Sequence, residues 1–138
     1  MPRVVALDVG DATIGVAAAD ELSITVNPIR TIRRGKSVKA DLREVEALLA
    51  ELDAGTVVVG MPLDAEGNEG PQALKVKDFV DRLARRLRIP VRTWDERFST
   101  ADAEEMLLAA DVSRAKRTEI IDQAAAMVIL KSYLDSRE

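Results

Sequence analysis

The chain has 138 residues, 47% hydrophobic and 32% charged, with 20 Lys and Arg against 24 Asp and Glu for a net charge of −4; this is apolar mass for one core in a protein that is no polycation. It has no cysteine and no histidine, which excludes disulfides, thiolate or imidazole metal sites, a Ser-His-Asp triad and a histidine general base. Acid–base or metal chemistry must then come from carboxylates, Lys, Tyr or water, an oxygen-only ligand set suits Mg²⁺, Mn²⁺ or Ca²⁺, and an aromatic content of 3% argues against a stacking platform for single-stranded bases.

Val4-Val5-Ala6-Leu7 is a continuous apolar run that suits a strand buried on both faces, and Asp8-Val9-Gly10-Asp11 reads as the turn that ends it. Thr13–Ala19 fits a second strand returning antiparallel, and Ile24–Ile32 a third, so the chain opens as a meander. Val38, Leu42, Val45, Leu48, Leu49 and Leu52 then recur at helical spacing behind Ser37, a suitable N-cap, and Gly55 ends that element. Thr56-Val57-Val58-Val59 is a second buried-strand signature, followed by a Gly- and acid-rich loop over Gly60–Gly70.

Pro71–Arg88 reads as a second helix with Val76, Phe79, Val80, Leu83 and Leu87 as its apolar stripe, broken at Ile89-Pro90. Val91–Trp94 is a further strand ending at Asp95-Glu96-Arg97. Ser99 or Thr100 caps a helix running to about Ala110, a loop holds Arg114, Lys116 and Arg117, and a last helix spans Thr118–Leu134. The order β-β-β-α-β-α-β-α-α predicts one α/β domain over residues 1–138, a mixed sheet with helices on both faces. Met1–Arg3 leads straight into a strand and no apolar stretch is long enough for a membrane span, so a cytoplasmic protein with no membrane partner is expected.

Asp8 sits within the first buried strand or at its end, Asp95-Glu96 at the end of the last strand, and Asp122 in the first turn or two of the last helix. Carboxylates are costly to ionise beside a central strand and repel one another where they converge; a divalent cation removes both problems and can align water and phosphate for in-line displacement. Ala124, Ala125 and Ala126 keep the last helix narrow beside Asp122, which would let it lie close on the sheet; the same run also fits plain tight packing. Taken singly, each signal has a plainer reading: Asp8 as a turn residue, Asp122 as a solvated first-turn acid, and the basic stretches, Arg30 to Lys39 included, as solvated connections. The spacing of Asp64, Glu66 and Glu69 does not match an EF-hand.

Four segments sharpen the choice: Leu7-Asp8-Val9-Gly10 with Ile14-Gly15-Val16-Ala17 and Asp20; Val59-Gly60-Met61-Pro62-Leu63 with Gly67 and Glu69-Gly70; Asp95-Glu96-Arg97-Phe98-Ser99-Thr100; and Asp122-Gln123-Ala124-Ala125-Ala126 with Ile129-Leu130. In this order, over almost the whole chain, they resemble the YqgF or RuvX family of Holliday-junction resolvases and pre-16S rRNA nucleases. The resemblance implies a ribonuclease H-like fold with a mixed five-stranded sheet, and a nuclease using Mg²⁺ or Mn²⁺. It implies Asp8, Glu96 and Asp122 as catalytic metal ligands with Asp95 in support, and Arg97, Ser99 and Thr100 orienting the site or contacting phosphate. The Gly60–Gly70 loop would border the substrate groove. Where the family usually carries a basic pair, this chain has Ala12 and Thr13; Arg33, Arg34 and Lys36 are the candidates to supply the missing phosphate contact.

The functions so implied are 5′ maturation of precursor 16S rRNA, with the ribosomal small subunit as a partner, or cutting of branched or single-stranded DNA. A monomer would serve the first; resolving a junction by paired cuts needs a homodimer. Two further classes compete: a non-catalytic nucleic-acid-binding module, which would favour loss of an acid, and an ATP-binding fold of the sugar-kinase and actin kind, for whose paired domains the chain is too short.

Overall fold

The computed structural model describes residues 2–35, 37–96 and 114–136, with side chains in the final stretch from Gln123 onward. β1 (Arg3–Val9), β2 (Thr13–Ala19) and β3 (Val26–Arg33) form the meander. α1 (Val38–Glu51), β4 (Ala54–Met61), α2 (Pro71–Arg86), β5 (Val91–Asp95) and α3 (Arg114–Ser136) follow. The five strands make one sheet in the order β3-β2-β1-β4-β5. β1–β2 and β2–β3 pair antiparallel, whereas β1–β4 and β4–β5 pair parallel, as the short turns of the meander and the helical crossovers require.

β1 lies at the centre, and alternation along it divides the core. Val5, Leu7 and Val9 pack with Ile14, Val16, Val57 and Val59 under α1 and α2, whose buried stripes include Leu42, Val45, Leu48, Val76, Phe79 and Leu83. Val4 and Ala6 face the other way, joining Ala17, Ala19 and Val58 under Ala126, Ile129 and Leu130 of α3. Ser37 caps α1 as expected, its hydroxyl oxygen accepting from the Ala40 amide at 3.1 Å.

Four boundaries differ from the sequence reading. β1 continues through Val9, beyond the apolar run, and Asp8 sits inside the strand, one of the two placements expected for it. β4 runs on to Met61, drawing Gly60 into the sheet. Gly55 lies in β4, and α1 ends earlier, with Asp53 taking the left-handed turn position at φ 53°. Arg114, Lys116 and Arg117, expected in a loop, belong to the first turn of α3; Arg, Ala and Lys are strong helix formers. The helix expected from Ser99 or Thr100 to Ala110 lies outside the described residues.

Candidate active site

Asp8 continues the Val4–Ala6 side of β1 and so belongs to the α3 face of the sheet. Its partner on β2 is Gly15. On β4 the last paired position is Leu7 with Val59, which leaves Gly60 as the next residue alongside Asp8. A carboxylate thus sits mid-sheet between two positions that carry no side chain, which leaves room for its partners among tightly packed strands.

Gly60 pairs with Trp94, and Met61 with Asp95, at the end of β5. Beyond Asp95 the chain turns and Glu96 lies back across Gly60. A Cβ built on Gly60 would run into the Glu96 Oε1 atom, and would stand 2.8 Å from Glu96 Cγ and 2.5 Å from Ile129 Cδ1 of α3. Gly60 therefore opens the space through which Glu96 reaches Asp8. Sequence reasoning placed Gly60 in the following loop and missed this role; a glycine directly after a β-branched run was the available signal.

The two acids meet. Glu96 shares a side-chain hydrogen bond with Asp8, which two carboxyl groups can do only while one of them keeps a proton. The Glu96 carboxyl is accordingly pushed up to about 8, first by burial, then by the negative charge of Asp8 and the hydrogen bond to it, and finally by the charge of Asp95. Such a pair has high affinity for positive charge, whether a proton or a cation.

The third acid belongs to α3. Gln123 Nε2 donates to Thr31 Oγ1 on β3 at 3.1 Å. Near the far end Trp94 Nε1 donates to Ser132 Oγ at 2.9 Å, and the Trp94 ring meets Tyr133 edge-on at 5.8 Å. The helix is thereby pinned across the sheet from β3 to β5. Alanines line the contact, Ala126 being fully buried against it, so α3 lies close on the strands as the Ala run suggested. Asp122 occupies the helical position one turn before Ala126; its side chain lies outside the description, and among the described residues no group of three acids gathers.

Of the expected phosphate contacts, Lys36, Arg97, Ser99 and Thr100 lie outside the described residues. Arg33 is exposed at the end of β3, paired with Thr13 and two positions beyond Thr31, on the α3 side of the sheet. Arg34 points the other way. Its Nε donates to Asp41 Oδ2 at 2.9 Å, its Nη1 to the Gly10 carbonyl at 2.8 Å, and its guanidinium lies 5.3 Å from the centre of the Phe79 ring. Asp41, 3% exposed, also accepts from the Gly35 amide at 2.8 Å. Arg34 is committed to a buried ion pair and cannot also serve a phosphate on the α3 face; it acts by holding the β1–β2 turn, two residues after Asp8. The buried Asp41 that fixes it carried no sequence signal beyond a first-turn acid. A cavity of about 390 Å³ beside this clamp, lined by Lys75 and Phe79 among others, opens on the α1–α2 face, with the sheet between it and the acids.

The loop expected over Gly60–Gly70 begins after Met61, where β4 ends, next to Glu96. Asp64 folds it, its Oδ1 accepting from the amides of Glu66 and Asn68 at 3.0 and 2.8 Å, with Gly67 at φ 86°. Among the described residues, no helix is long and apolar enough to cross a membrane.

Comparison with known proteins identifies the family and the fold. The family model described as RuvX, Holliday junction resolvase, matches residues 2–136. A protein of Myxococcus xanthus named "Putative pre-16S rRNA nuclease" is 48% identical over 134 residues, covering 97% of this chain and 88% of its own. Proteins of the same name from Symbiobacterium thermophilum and Desulforamulus reducens are 47% and 44% identical, covering 98% and 97% of this chain and 93% and 97% of their own. Among solved structures, Thermus thermophilus RuvC in complex with a Holliday junction substrate aligns with a TM-score of 0.62 at 16% identity, over 99% of this chain and 96% of that one. A second RuvC structure aligns at 0.56 and 14% identity, over 98% and 95%. The likeness to RuvC establishes the ribonuclease H-like fold.

Proposed function

The chain belongs to the RuvX family, and from that membership we propose that it is a divalent-metal-dependent nuclease that hydrolyses phosphodiester bonds in the 5′ maturation of precursor 16S rRNA. The observation that carries the reading is the meeting of Asp8 and Glu96 beside Gly60, with the Glu96 carboxyl at about 8. Asp8, Glu96 and Asp122 would hold Mg²⁺ or Mn²⁺, with Asp95 in support. The fit rests on the donors: oxygen ligands only, crowded enough that the pair keeps a proton. When bound, the metal supplies charge neutralisation at the phosphate and a lowered pKa for water.

The chain's own residues do the rest. Asp8 is fixed by the strand on both sides, and its turn by Arg34. Glu96 must give up its shared proton before it can ligate. Arg33 contacts backbone phosphate, with Arg97, Ser99, Thr100 and Lys36 in the same role. The small ribosomal subunit is the partner in this reading, and the cytoplasm the place of action.

A second reading, resolution of branched DNA by a homodimer, is favoured by the description of the family model and by the likeness to junction-bound RuvC. The deciding experiment incubates the protein with labelled precursor rRNA, single-stranded DNA and a four-way junction, each with Mg²⁺, Mn²⁺ or EDTA. Cleavage of the precursor rRNA that needs metal and disappears in Asp8→Asn is the expected result. Cleavage of the junction alone would move the protein to the second reading, and metal-independent cleavage would end the first.

A further inference from the structure

The described part of α3 meets the sheet in two different ways. From Ile129 onward large side chains make the contact. Ile129 and Leu130 are buried with Val4, Ala6 and Val58, and Trp94 adds its ring against Tyr133 and its hydrogen bond to Ser132. Over residues 123–126 the buried side chains are those of Ala124 and Ala126. A packed helix is fixed by ridges of side chains set into grooves, and a methyl group makes a low ridge. Alanine therefore allows close approach there but does little to set the rotation of the helix about its axis.

What supplies direction in that stretch is the hydrogen bond from Gln123 Nε2 to Thr31 Oγ1 at 3.1 Å. Thr31 stands in the same row of the sheet as Asp8: it pairs with Gly15, and Gly15 pairs with Asp8. Two strand spacings separate them, about 10 Å at ~4.8 Å each. Gln123 directly follows Asp122 in the helix. The bond thus ties the turn of α3 that carries Asp122 to the row that carries Asp8. A plainer role is added docking strength for α3, which the end around Ile129 and Trp94 already supplies. Geometry weighs more. At a side-chain radius of about 5–6 Å, a helix rotation of about 10° carries a side-chain tip about 1 Å, whereas metal–ligand distances are held to about 0.2 Å.

We propose that Gln123 is a positioning residue: through Thr31 it fixes the rotation of α3 at which Asp122 joins Asp8 and Glu96 around a divalent cation. The inference rests on the nuclease reading for Asp122 as a ligand, and adds to it the contact that sets that ligand. Gln123 and Thr31 touch neither metal nor phosphate in this role. They act as the outer partners of a metal site do, by holding a ligand's orientation.

The test measures Mn²⁺ affinity directly, by loss of the free-ion electron paramagnetic resonance signal with no nucleic acid present, and melting temperature in EDTA. Q123M and T31V remove the donor and the acceptor from opposite sides of the bond, and T31S keeps the hydroxyl. S132A breaks the tie at the other end of α3, and D122N removes the acid's charge. Q123M and T31V should each weaken Mn²⁺ binding by about tenfold, the low end for a group that orients a ligand. Q123M/T31V should lose no more than either alone, as for two halves of one contact. T31S should stay within about twofold of wild type. S132A should lower the melting temperature and leave Mn²⁺ affinity within about twofold. Wild-type affinity in Q123M or T31V overturns the proposal, whatever the melting temperature does. So do additive losses in the double variant, a T31S loss as large as that of T31V, or an equal loss in S132A, which would make the bond one more docking contact. D122N separates the two readings. Weakened binding in D122N without weakening in Q123M strikes the positioning role and leaves the ligand set; unchanged affinity in D122N strikes Asp122 from the ligand set, and the positioning role with it.

Discussion

Against α1 and α2 the sheet presents Val5, Leu7, Ile14, Val16, Val57 and Val59, met by Leu42, Phe79 and Leu83. Against α3 it presents Ala6, Ala17, Ala19 and Val58, with Asp8 flanked by Gly15 and Gly60. The first face is filled with branched and aromatic side chains, and the acid packed against it, Asp41, is closed off by Arg34 and the Gly35 amide. The second is lined largely by alanine, with Val4 and Val58, and its acids lie against each other. One face spends its volume on burial; the other leaves room for a helix to approach closely and for two carboxylates to meet. With the proposed site on the α3 face, stability and chemistry would be separated by the thickness of a single sheet, and substitutions on the two sides should separate in the same way.

The largest effect belongs to the acids. If the proposed site is right, Asp8→Asn and Glu96→Gln should each lower cleavage by about 10³-fold or more, since loss of a ligand from that site would remove several kcal/mol of transition-state stabilisation. Single-turnover assays on precursor rRNA measure this, and circular dichroism should show both variants folded. Full activity in Glu96→Gln would remove Glu96 from the site. On the other face, Leu83 of α2 is fully buried, and Leu83→Ala should cost about 2–5 kcal/mol in urea unfolding. Activity per folded molecule should stay within about twofold. A loss of turnover in the folded fraction would mean that the two faces are coupled after all.

Gly60 lies where the comparison is sharpest. Gly60→Ala adds one methyl group against Glu96 Oε1 and Ile129. Overpacking of this kind costs about 1–3 kcal/mol, and here it is relieved most easily by moving the carboxylate. Activity should fall at least about tenfold, and the Mn²⁺ concentration for half-maximal cleavage should rise. A variant with the usual stability loss and unchanged metal dependence would show that Glu96 does not need the gap.

Much of this was readable in the chain. The continuous apolar runs at Val4–Leu7 and Thr56–Val59 identified the strands buried on both faces, and the 3.6-residue stripes identified α1 and α2. The resemblance carried by the four motifs implied one site for Asp8 and Glu96, and the structure brings these two together. What stayed hidden depends on contacts across the sheet. Whether Gly60 ends a strand or continues it is decided by pairing with Trp94, and whether Arg34 faces solvent or core is decided by Asp41 and Phe79. A run of five basic residues between 30 and 39 looks uniform in sequence; alternation sends Arg33 and Arg34 to opposite faces with different duties.

The mildest prediction concerns pH in the absence of metal. The Glu96 carboxyl ionises near 8 in the folded protein, against 4.5 for the ordinary group. Between those values the folded state holds a proton that the unfolded chain has released, so stability declines as pH rises from about 4.5 and levels off above about 8. Thermal unfolding in EDTA should show this decline in wild type. Glu96→Gln, which has nothing to ionise, should show a flatter profile and a higher melting temperature at pH 8. Added Mn²⁺ should reverse the order, stabilising wild type most where the proton has left and barely affecting the variant, because binding to the folded state alone shifts unfolding in proportion to affinity. If wild type and variant titrate in parallel without metal, the two acids do not share a proton, and the α3 face is no less settled electrostatically than the face that carries Asp41.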